Sequence, residues 1–397
     1  MSYQLLATRA MDAIEWAAGQ MPVVARIASR FERARPFDGV RLGCSLHVTA
    51  ETGVLVRALM AGGAEVAVCA PNPLSTQDDV ADALASSGAA VHARHGQDPA
   101  VGLAAVVDTS PELTMDDGAD LISALARSEL IGATEETTTG VIRARTLELA
   151  FPVVAVNEGR AKDLFDNRYG TGQSTLDGIL RATNVLLAGR RVVVIGYGRC
   201  GRGVAARAKG AGAQVIVCEV DPLAALEAAM DGFEVMPALT AAERGDLFIT
   251  ATGNRDALTA EHFERMPDGA ILCNAGHFDV EIDKGALAAM AAERRQARPA
   301  SEEFVLADGR RLHLLADGRV VNLAAAEGHP AAVMDVIFAC QALAAEYLVA
   351  NRGGLEAGVH ALPNAIDVDV ARLKLEAMGV QLDELSDEQR AYLSTWR

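Results

Sequence analysis

Apolar and polar positions along this chain alternate between short β-branched runs and longer alanine-rich stretches with helical spacing. This alternation is typical of strand–helix units in a parallel sheet. It predicts two consecutive series of strands, each nearly continuous in apolar residues, as strands covered on both faces require. The first series is predicted at 40–47, 64–70, 105–109 and 153–157, and the second at 190–196, 214–220, 246–252 and 270–276. We therefore expect an α/β fold of two doubly wound parallel-sheet domains with a short C-terminal helical segment.

The remaining segments predict how the two domains are joined. Residues 157–183 are polar and rich in Gly, Asp, Asn and Thr, so we expect them to connect the domains and line the cleft between them. Two Asp-Gly pairs, at 308–309 and 317–318, bracket an alternating run and predict a hairpin. Helices are expected from His329-Pro330 to about Val349 and over 367–396. The expected division is 1–165 and 329–357 for a substrate-binding domain, 166–328 for a dinucleotide-binding domain, and 358–397 for a C-terminal segment.

Composition narrows the classes of function. The chain has 397 residues, 50% of them hydrophobic, which is enough to bury more than one core. A formal net charge of -17 disfavours nucleic acid or an anionic membrane surface as a partner. No apolar run approaches the roughly 20 residues that span a bilayer, and acidic residues interrupt the N-terminal stretch, so we expect a cytoplasmic small-molecule enzyme. The six cysteines lack CxxC spacing and are expected to be reduced, buried and apolar in role.

The segment 190–203 carries a dinucleotide-binding motif. Gly196, Gly198 and Gly201 follow a predicted strand and open a helix. The first glycine permits a tight turn, the second lets backbone amides approach a pyrophosphate, and the third lets the helix pack on the strand. Glu219 ends the next strand, where a carboxylate can accept from ribose hydroxyls and would repel a 2′-phosphate. We therefore expect NAD rather than NADP. An ordinary turn, and a solvated acid at position 219, are the alternatives.

Several polar strings are too specific to be explained by folding alone. They are HVTAET (47–52), NPLSTQD (72–78), DDG (116–118), EETTTG (135–140), Lys162 with FDNRYG (165–170), and NAGHFD (274–279). In order and approximate spacing they resemble the S-adenosylhomocysteine hydrolase family from about Met21 to the C-terminus. The string TGQS at 171–174 and the early C-terminus resemble its shorter prokaryotic and archaeal members.

Carried over position by position, the resemblance implies three groups of site residues and no metal. The catalytic group, around the ribose and the departing sulfur, would be His47, Asp117, Glu136, Lys162, Asp166 and His277. The substrate contacts would be Thr49 and Glu51 at the adenine, His329 over the base, and Ser75, Gln77, Met334 and Phe338. Tightly held NAD would contact Thr137, Thr138, Thr139, Asn167, Thr252 and Asn322, besides Gly196, Gly198, Gly201 and Glu219.

The chemistry that the resemblance implies explains why such residues are needed. NAD oxidises the 3′ hydroxyl of S-adenosylhomocysteine, homocysteine is eliminated, water adds, and the hydride returns to give adenosine. Lys162 would be the base near the 3′ and 4′ positions, provided that its surroundings lower its pKa well below about 10.4, and Asp166 would polarise it. His47 beside Asp117 would exchange protons at C5′, His277 would complete the site, and Glu136 would hold a ribose hydroxyl. Domain closure, with hinges near 157–162 and His329, would exclude water.

Ordinary structural roles stay open for these residues. His47 and His277 could be core histidines with satisfied hydrogen bonds. Asp117 and Glu136 could be helix caps or loop acids, and Lys162 could be a solvated surface lysine.

Two other functions also stay open. The chain could be a paralogue that applies the same oxidation to S-inosylhomocysteine or epimerises another nucleoside, or an inactive NAD-binding scaffold. Glu327 could point into the pocket and donate to an oxo group, or could be an acid on the far side of its loop. The resemblance implies a homotetramer. Longer members continue with a lysine- and tyrosine-bearing tail that reaches a neighbouring subunit's NAD, and without that tail we expect faster NAD exchange.

Overall fold

The computed structural model describes residues 3–395, with side chains from Met11 onward. Its first sheet contains seven parallel strands, β1 (Arg41–Ser45), β2 (Glu65–Cys69), β3 (Ala90–Val91), β4 (Leu113–Asp116), β5 (Gly132–Glu135), β6 (Pro152–Ala155) and β15 (Gly358–Ala361), in the order β15-β6-β5-β4-β1-β2-β3. Its helices are α1 (Tyr3–Gly19), α2 (Pro22–Ala34), α3 (Ala50–Ala61), α4 (Asp78–Ser86), α5 (Pro99–Asp108), α6 (Asp120–Ala124), α7 (Thr138–Arg145), α16 (Ala331–Ala350) and α17 (Asn364–Ala377). The chain thus leaves this sheet after β6 and returns to it near its end.

The second sheet contains eight strands. They are β7 (Arg191–Ile195), β8 (Gln214–Cys218), β9 (Glu234–Val235), β10 (Leu247–Thr250), β11 (Ala270–Asn274), β12 (Ala291–Arg298), β13 (Ser301–Leu306) and β14 (Arg311–Leu315), in the order β12-β13-β14-β11-β10-β7-β8-β9. Its antiparallel pairs are β12–β13 and β13–β14, and the other neighbouring strands pair in parallel. The helices are α10 (Arg199–Gly210), α11 (Pro222–Met230), α12 (Ala238–Ala242), α13 (Ala260–Phe263), α14 (Lys284–Met290) and α15 (Val321–Ala324). The predicted α/β class with two largely parallel sheets is confirmed.

The predicted polar connection is helical along most of its length. It contains a 3₁₀ turn (Val156–Glu158), α8 (Arg160–Lys162), a π-helical segment (Asp163–Gly170) and α9 (Thr171–Thr183). Wide π-helical turns are rare and are frequent at functional sites. Lys162 and Asp166 both lie in this connection.

Three local predictions are wrong, and the predicted hairpin is confirmed. Residues 105–108 belong to α5, which Asp98 caps by accepting from Ala100 N at 3.0 Å, and the strand lies at β4 instead. The hairpin consists of the antiparallel strands β13 and β14 with the first Asp-Gly pair between them, and the second pair forms the 3₁₀ turn Ala316–Gly318. The helix expected over 367–396 is interrupted between α17 and α18 (Asp387–Ser394), and Trp396 lies outside the described residues. Helix α16, considered next, is the third case.

Helix α16 is long and apolar enough to span a bilayer, which the sequence expectation missed. Among the helices of residues 3–395 it is the one with this combination of length and apolar composition. However, 72% of its most apolar stretch is buried inside the protein. A helix that is apolar on all sides packs in a core, and α16 belongs to the main apolar core of the first sheet, together with Phe31, Leu55 and Met115.

Candidate active site

One cavity of about 800 Å³ is lined by residues that follow the carboxyl ends of strands in both sheets. His47 follows β1, Asp117 follows β4 and Glu136 follows β5, and these three strands are neighbours. Thr252 and His277 follow the neighbouring strands β10 and β11 of the second sheet. This is the edge at which open α/β sheets bind ligands, because loops diverge where the order of strands reverses.

Most of the predicted site residues line this cavity. Those that do are His47, Thr49, Glu51, Asp117, Glu136, Thr137, Thr138, Thr139, Lys162, Asp166, Asn167, Thr252, His277, Asn322, His329, Met334 and Phe338. Those that do not are Ser75, Gln77, Gly196, Gly198, Gly201 and Glu219. Two separate sheets thus bring together side chains that are up to 291 residues apart in the sequence, from His47 to Phe338.

Asp117 lies between two histidines. His47 Nε2 is 3.2 Å from Asp117 Oδ2, and His277 Nδ1 is 3.7 Å from Asp117 Oδ1. Burial alone raises the pKa of Asp117, but His47 and His277 outweigh burial and lower it to about 2. Ser75 Oγ lies 2.6 Å from the other ring nitrogen of His47. Ser75 is therefore placed to orient His47 rather than to line the cavity. Burial lowers the pKa of His277, although the Asp117 charge opposes this.

Glu136 is a buried acid held by a glutamine. Gln341 Nε2 on α16 donates to Glu136 Oε2 at 2.9 Å. Burial, followed by the charge of Asp117, raises the pKa of Glu136 to about 8. A carboxyl group that is protonated near neutral pH can both donate to and accept from a sugar hydroxyl.

A second buried acid fixes the two strand ends that carry Asp117 and Glu136. Glu135, which has no exposed surface, accepts from the backbone nitrogens of Gly118 (3.1 Å), Ala119 (2.8 Å) and Thr137 (2.8 Å). The loop after β4 and the turn after β5 are therefore tied to one carboxylate. Burial is the main reason that the pKa of Glu135 is well above its usual range.

Lys162 is buried and has two partners. It forms an ion pair with Asp166, one helical turn further along, and donates to Asn157 Oδ1 at 2.7 Å. Burial lowers the pKa of Lys162, but Asp166 and then Glu136 outweigh burial and raise it above its usual range. The condition set for Lys162 as a base, a lowered pKa, is therefore not met in this structure, because the i, i+4 spacing places a carboxylate against the ammonium group.

The C-terminal helix α17 caps the short helix that carries Lys162. Asp367 accepts from Arg160 N and Ala161 N, both at 2.8 Å. These are orphan amides at the start of α8, which a carboxylate stabilises by hydrogen bonding and by the helix dipole. The position of Lys162 thus depends on a residue more than 200 positions away, with |i−j| = 206 between Ala161 and Asp367.

The two acids considered for base recognition both line the cavity but have different partners. Thr49 Oγ1 donates to Glu51 Oε2 at 2.7 Å. Burial raises the pKa of Glu51 above its usual value, while the Thr49 hydrogen bond opposes this. The Glu327 side chain is 73% exposed and forms an ion pair with Arg181 at 2.6 Å. The Glu327 carboxylate is therefore already paired with a cation.

The glycine turn has the shape that a dinucleotide needs. Gly196 has φ +97, and a Cβ there would lie 2.7 Å from Ala251 O. A Cβ on Gly201 would lie 2.0 Å from Gly196 O, which forces close helix–strand packing, whereas one on Gly198 would meet nothing within 4 Å. Open space at Gly198 fits a pyrophosphate that approaches the backbone. Glu219 Oε2 accepts from Tyr197 N at 2.6 Å, so the acid also holds this turn.

Two asparagines that are expected to contact the cofactor differ in how many of their side-chain hydrogen bonds are already made. Asn167 Nδ2 donates to Asp163 Oδ1 at 2.9 Å. Asn322 Nδ2 donates to Ser174 Oγ at 3.0 Å, but Asn322 Oδ1 is buried and finds no hydrogen-bond partner within the part of the chain that the structure describes. A buried orphan acceptor beside a cavity fits a donor from a bound ligand. The hydroxyl of Thr137, another expected cofactor contact, caps α7 by accepting from Gly140 N at 2.9 Å.

Sequence reasoning missed four residues near the chemistry. Asn157, Ser174 and Gln341 bind Lys162, His329 and Glu136 respectively. Cys200 was expected to be buried but is half-buried and lines the cavity. Burial raises the pKa of its thiol to about 11. Only Ser174, in the TGQS string, and Cys200, in the glycine turn, lie in motifs that the sequence already singles out.

Residues beside the dinucleotide turn, among them Cys200 and Thr252, line the same cavity as the cluster of lysine, histidines and acids. Together they define a nicotinamide-dependent α/β enzyme for a small molecule. Comparison with known proteins narrows this class. Two family profiles match, "S-adenosyl-L-homocysteine hydrolase" over residues 5–130 and "S-adenosyl-L-homocysteine hydrolase, NAD binding domain" over residues 167–328.

Relatives match along almost the whole chain. The adenosylhomocysteinase of Thermococcus kodakarensis is 55% identical over 96% of this chain and 94% of its own. The adenosylhomocysteinase of Aquifex aeolicus is 55% identical over 98% of this chain and 97% of its own. The S-inosyl-L-homocysteine hydrolase of Methanopyrus kandleri is 52% identical over 98% of this chain and 96% of its own. The chain belongs to the S-adenosyl-L-homocysteine hydrolase family, and the predicted NAD cofactor is confirmed by its NAD-binding domain.

Proposed function

We propose that this enzyme reversibly cleaves S-adenosylhomocysteine into adenosine and homocysteine. The observation that carries the proposal is the convergence of two separate proton-handling clusters, Lys162–Asp166 and His47–Asp117–His277, on one cavity. Bound NAD supplies transient oxidation of the 3′ hydroxyl, which makes the neighbouring hydrogen acidic enough for elimination. The family relatives support the same reaction.

Lys162 is proposed as the group that moves protons at the 3′ and 4′ positions. Because Asp166 holds it as an ammonium, Lys162 becomes a base only when this ion pair is weakened or the pH rises. Asn157 and the Asp367 cap keep the amine in the cavity wall. Lys162 therefore stays protonated as long as its ion pair with Asp166 is intact.

The His47 cluster is proposed to act at C5′. A thiolate leaving group needs a proton, and the water that replaces it must lose one, so one group has to serve in both directions. Histidine can do so near neutral pH. Asp117 Oδ2 lies 3.2 Å from His47 Nε2, and His277 lies on the other side of Asp117. Glu136, held by Gln341, is proposed to bind a ribose hydroxyl.

Glu219 is proposed to select NAD, and Glu219→Gln tests this. The variant should bind NAD about tenfold more weakly and narrow the preference for NAD over NADP, because the charged acceptor for the ribose hydroxyls is lost. Calorimetry with each cofactor gives both affinities. Glu234→Gln is the control, since Glu234 pairs with Arg244 on the surface of the same domain. A wild-type protein that binds NADP more tightly than NAD would contradict the assignment.

The base preference follows from Glu51 and tests the choice of substrate. An ionised Glu51 accepts from the 6-amino group of adenine, whereas the 6-oxo group of hypoxanthine leaves this buried acceptor unpaired at a cost of about 1–3 kcal/mol. S-Adenosylhomocysteine should therefore exceed S-inosylhomocysteine in kcat/KM by about tenfold to a few hundredfold. As pH rises through the raised pKa of Glu51, the acid loses its proton and the preference should increase. Equal or better use of the inosyl compound would refute this selection.

The remaining assignments are also proposals. Because β15 and α17 return to the first sheet, we extend the substrate-binding domain to 358–377 and keep 166–328 as the NAD-binding domain. A homotetramer is supported by an apolar face on α11, where Leu223 and Met230 are 75% and 76% exposed. A cytoplasmic enzyme is supported by six free cysteines. The acidic net charge argues against nucleic-acid or anionic membrane partners.

A further inference from the structure

A chain of hydrogen bonds joins the second domain to the Lys162–Asp166 pair. Asn322 on α15 donates from Nδ2 to Ser174 Oγ on α9 at 3.0 Å. The same oxygen lies 3.0 Å from His329 Nδ1. His329 Nε2 lies 2.5 Å from Asp166 Oδ1, and Asp166 pairs with Lys162. His329 is thus bound at both ring nitrogens, and the chain ends at the carboxylate that holds the proposed base.

The direction of this chain follows from the amide at its start. An amide nitrogen only donates, so Ser174 Oγ accepts from Asn322 and retains its own hydroxyl proton to donate. His329 Nδ1 lies 3.0 Å from this oxygen, where it can accept that proton. A neutral imidazole with an accepting Nδ1 carries its proton on Nε2, the atom facing Asp166. Every hydrogen bond in the chain therefore points toward the Asp166 carboxylate.

We propose that Ser174 is a positioning residue for the base: its hydroxyl holds the His329 ring in the orientation in which Nε2 donates to Asp166, so that Lys162 shares this carboxylate with a second donor. The inference rests on the role proposed above for Lys162. Ser174 is 1% exposed and does not line the cavity, so it acts through His329 rather than on the substrate.

The hydrogen bond from His329 to Asp166 affects Lys162, because the same carboxylate stabilises the protonated amine of Lys162. Burial raises the pKa of Asp166, but Lys162 and His329 outweigh burial and lower it. Without the Ser174 hydroxyl, His329 Nδ1 loses its partner and the ring is no longer fixed in this orientation. Asp166 then interacts mainly with Lys162, and the pKa of Lys162 rises. The other titratable groups that act on Lys162 and His329 are unchanged by this substitution: Glu136, Asp117, His277, Cys200 and Glu51.

Ser174→Ala should move the acid limb of the pH–rate profile for 3′ oxidation to higher pH, by about one pH unit. The rate is followed as reduced-cofactor absorbance after adenosine is added to NAD-loaded protein. Below the limb the rate should fall about tenfold, and above it the rate should return to the wild-type level. Thr175→Val is the matched control. Thr175 is the next residue of α9, has no exposed surface, and its hydroxyl finds no hydrogen-bond partner among residues 3–395, so the limb should stay in place.

The imidazole ¹⁵N spectrum of His329 tests the chain separately from the role of Lys162. Wild-type protein should show a protonated Nε2 and an Nδ1 that accepts a hydrogen bond, and Ser174→Ala should lose the hydrogen-bond shift of Nδ1. A protonated Nδ1 in the wild type, an unchanged limb in Ser174→Ala, or an equal loss of rate at every pH would each overturn the proposal. If the Nδ1 signal changes as expected while Lys162→Arg keeps full turnover, the failure lies in the proposed role of Lys162.

Discussion

Lys162→Arg should lower kcat by about 10²–10⁴-fold while leaving the protein folded. This is the usual contribution of a positioned acid or base. Arginine keeps the positive charge that Asp166 needs, but it does not lose its proton near neutral pH. Substitution by alanine would combine two effects, since it also leaves the buried Asp166 carboxylate without its cation. Homocysteine release at saturating substrate, with thermal unfolding of the same samples, measures both quantities.

Lys374→Ala provides the matched control for the Lys162 variant. Lys374 is also a buried lysine, paired with Asp335 at 2.8 Å and with Ala332 O at 3.0 Å, but away from the cavity. Breaking this pair should cost about 3–5 kcal/mol of stability while kcat per folded molecule stays normal. Normal turnover in Lys162→Arg would remove Lys162 from the mechanism.

His47→Ala should separate the two halves of the reaction. The variant should still reduce bound NAD when substrate is added, because the 3′ position is assigned to the Lys162 side of the cavity. Release of homocysteine should fall by about 10²–10⁴-fold, because no group at C5′ then exchanges protons with sulfur and water. Reduced cofactor should therefore accumulate, and its absorbance can be read beside a thiol assay.

His360→Ala is the control for His47→Ala, since His360 is half-buried, does not line the cavity, and its Nε2 lies 2.7 Å from Glu356 O. Both half-reactions should be normal in this variant. Loss of cofactor reduction in His47→Ala would place His47 at the 3′ position instead of C5′.

The sequence could predict where the chemistry lies because parallel strands end at one edge. His47, Asp117 and Glu136 each follow an apolar run, and neighbouring strands bring them together. The same reasoning failed at 105–109, where a β-branched run lies in a helix that Asp98 caps. Local propensity is a weak prior when a cap and tertiary packing favour the other state.

Partners that are distant in sequence could not be predicted. Periodicity shows that α16 is buried, but it does not show that Gln341 meets Glu136 or that Asp367 caps the Lys162 helix. These contacts depend on how helices pack, which a single sequence does not specify. The ion pair that raises the pKa of Lys162 could be predicted, since the i, i+4 spacing of Lys162 and Asp166 is visible in the sequence.

Stopped-flow mixing of NAD-loaded protein with S-adenosylhomocysteine tests the central claim most directly. Absorbance reports reduced cofactor while a thiol reagent reports homocysteine. We expect reduced cofactor to appear before the first thiol, to persist during turnover and to disappear when substrate is exhausted. Thiol release with no reduced cofactor at any time, or reduction of the cofactor without thiol release, would contradict the account.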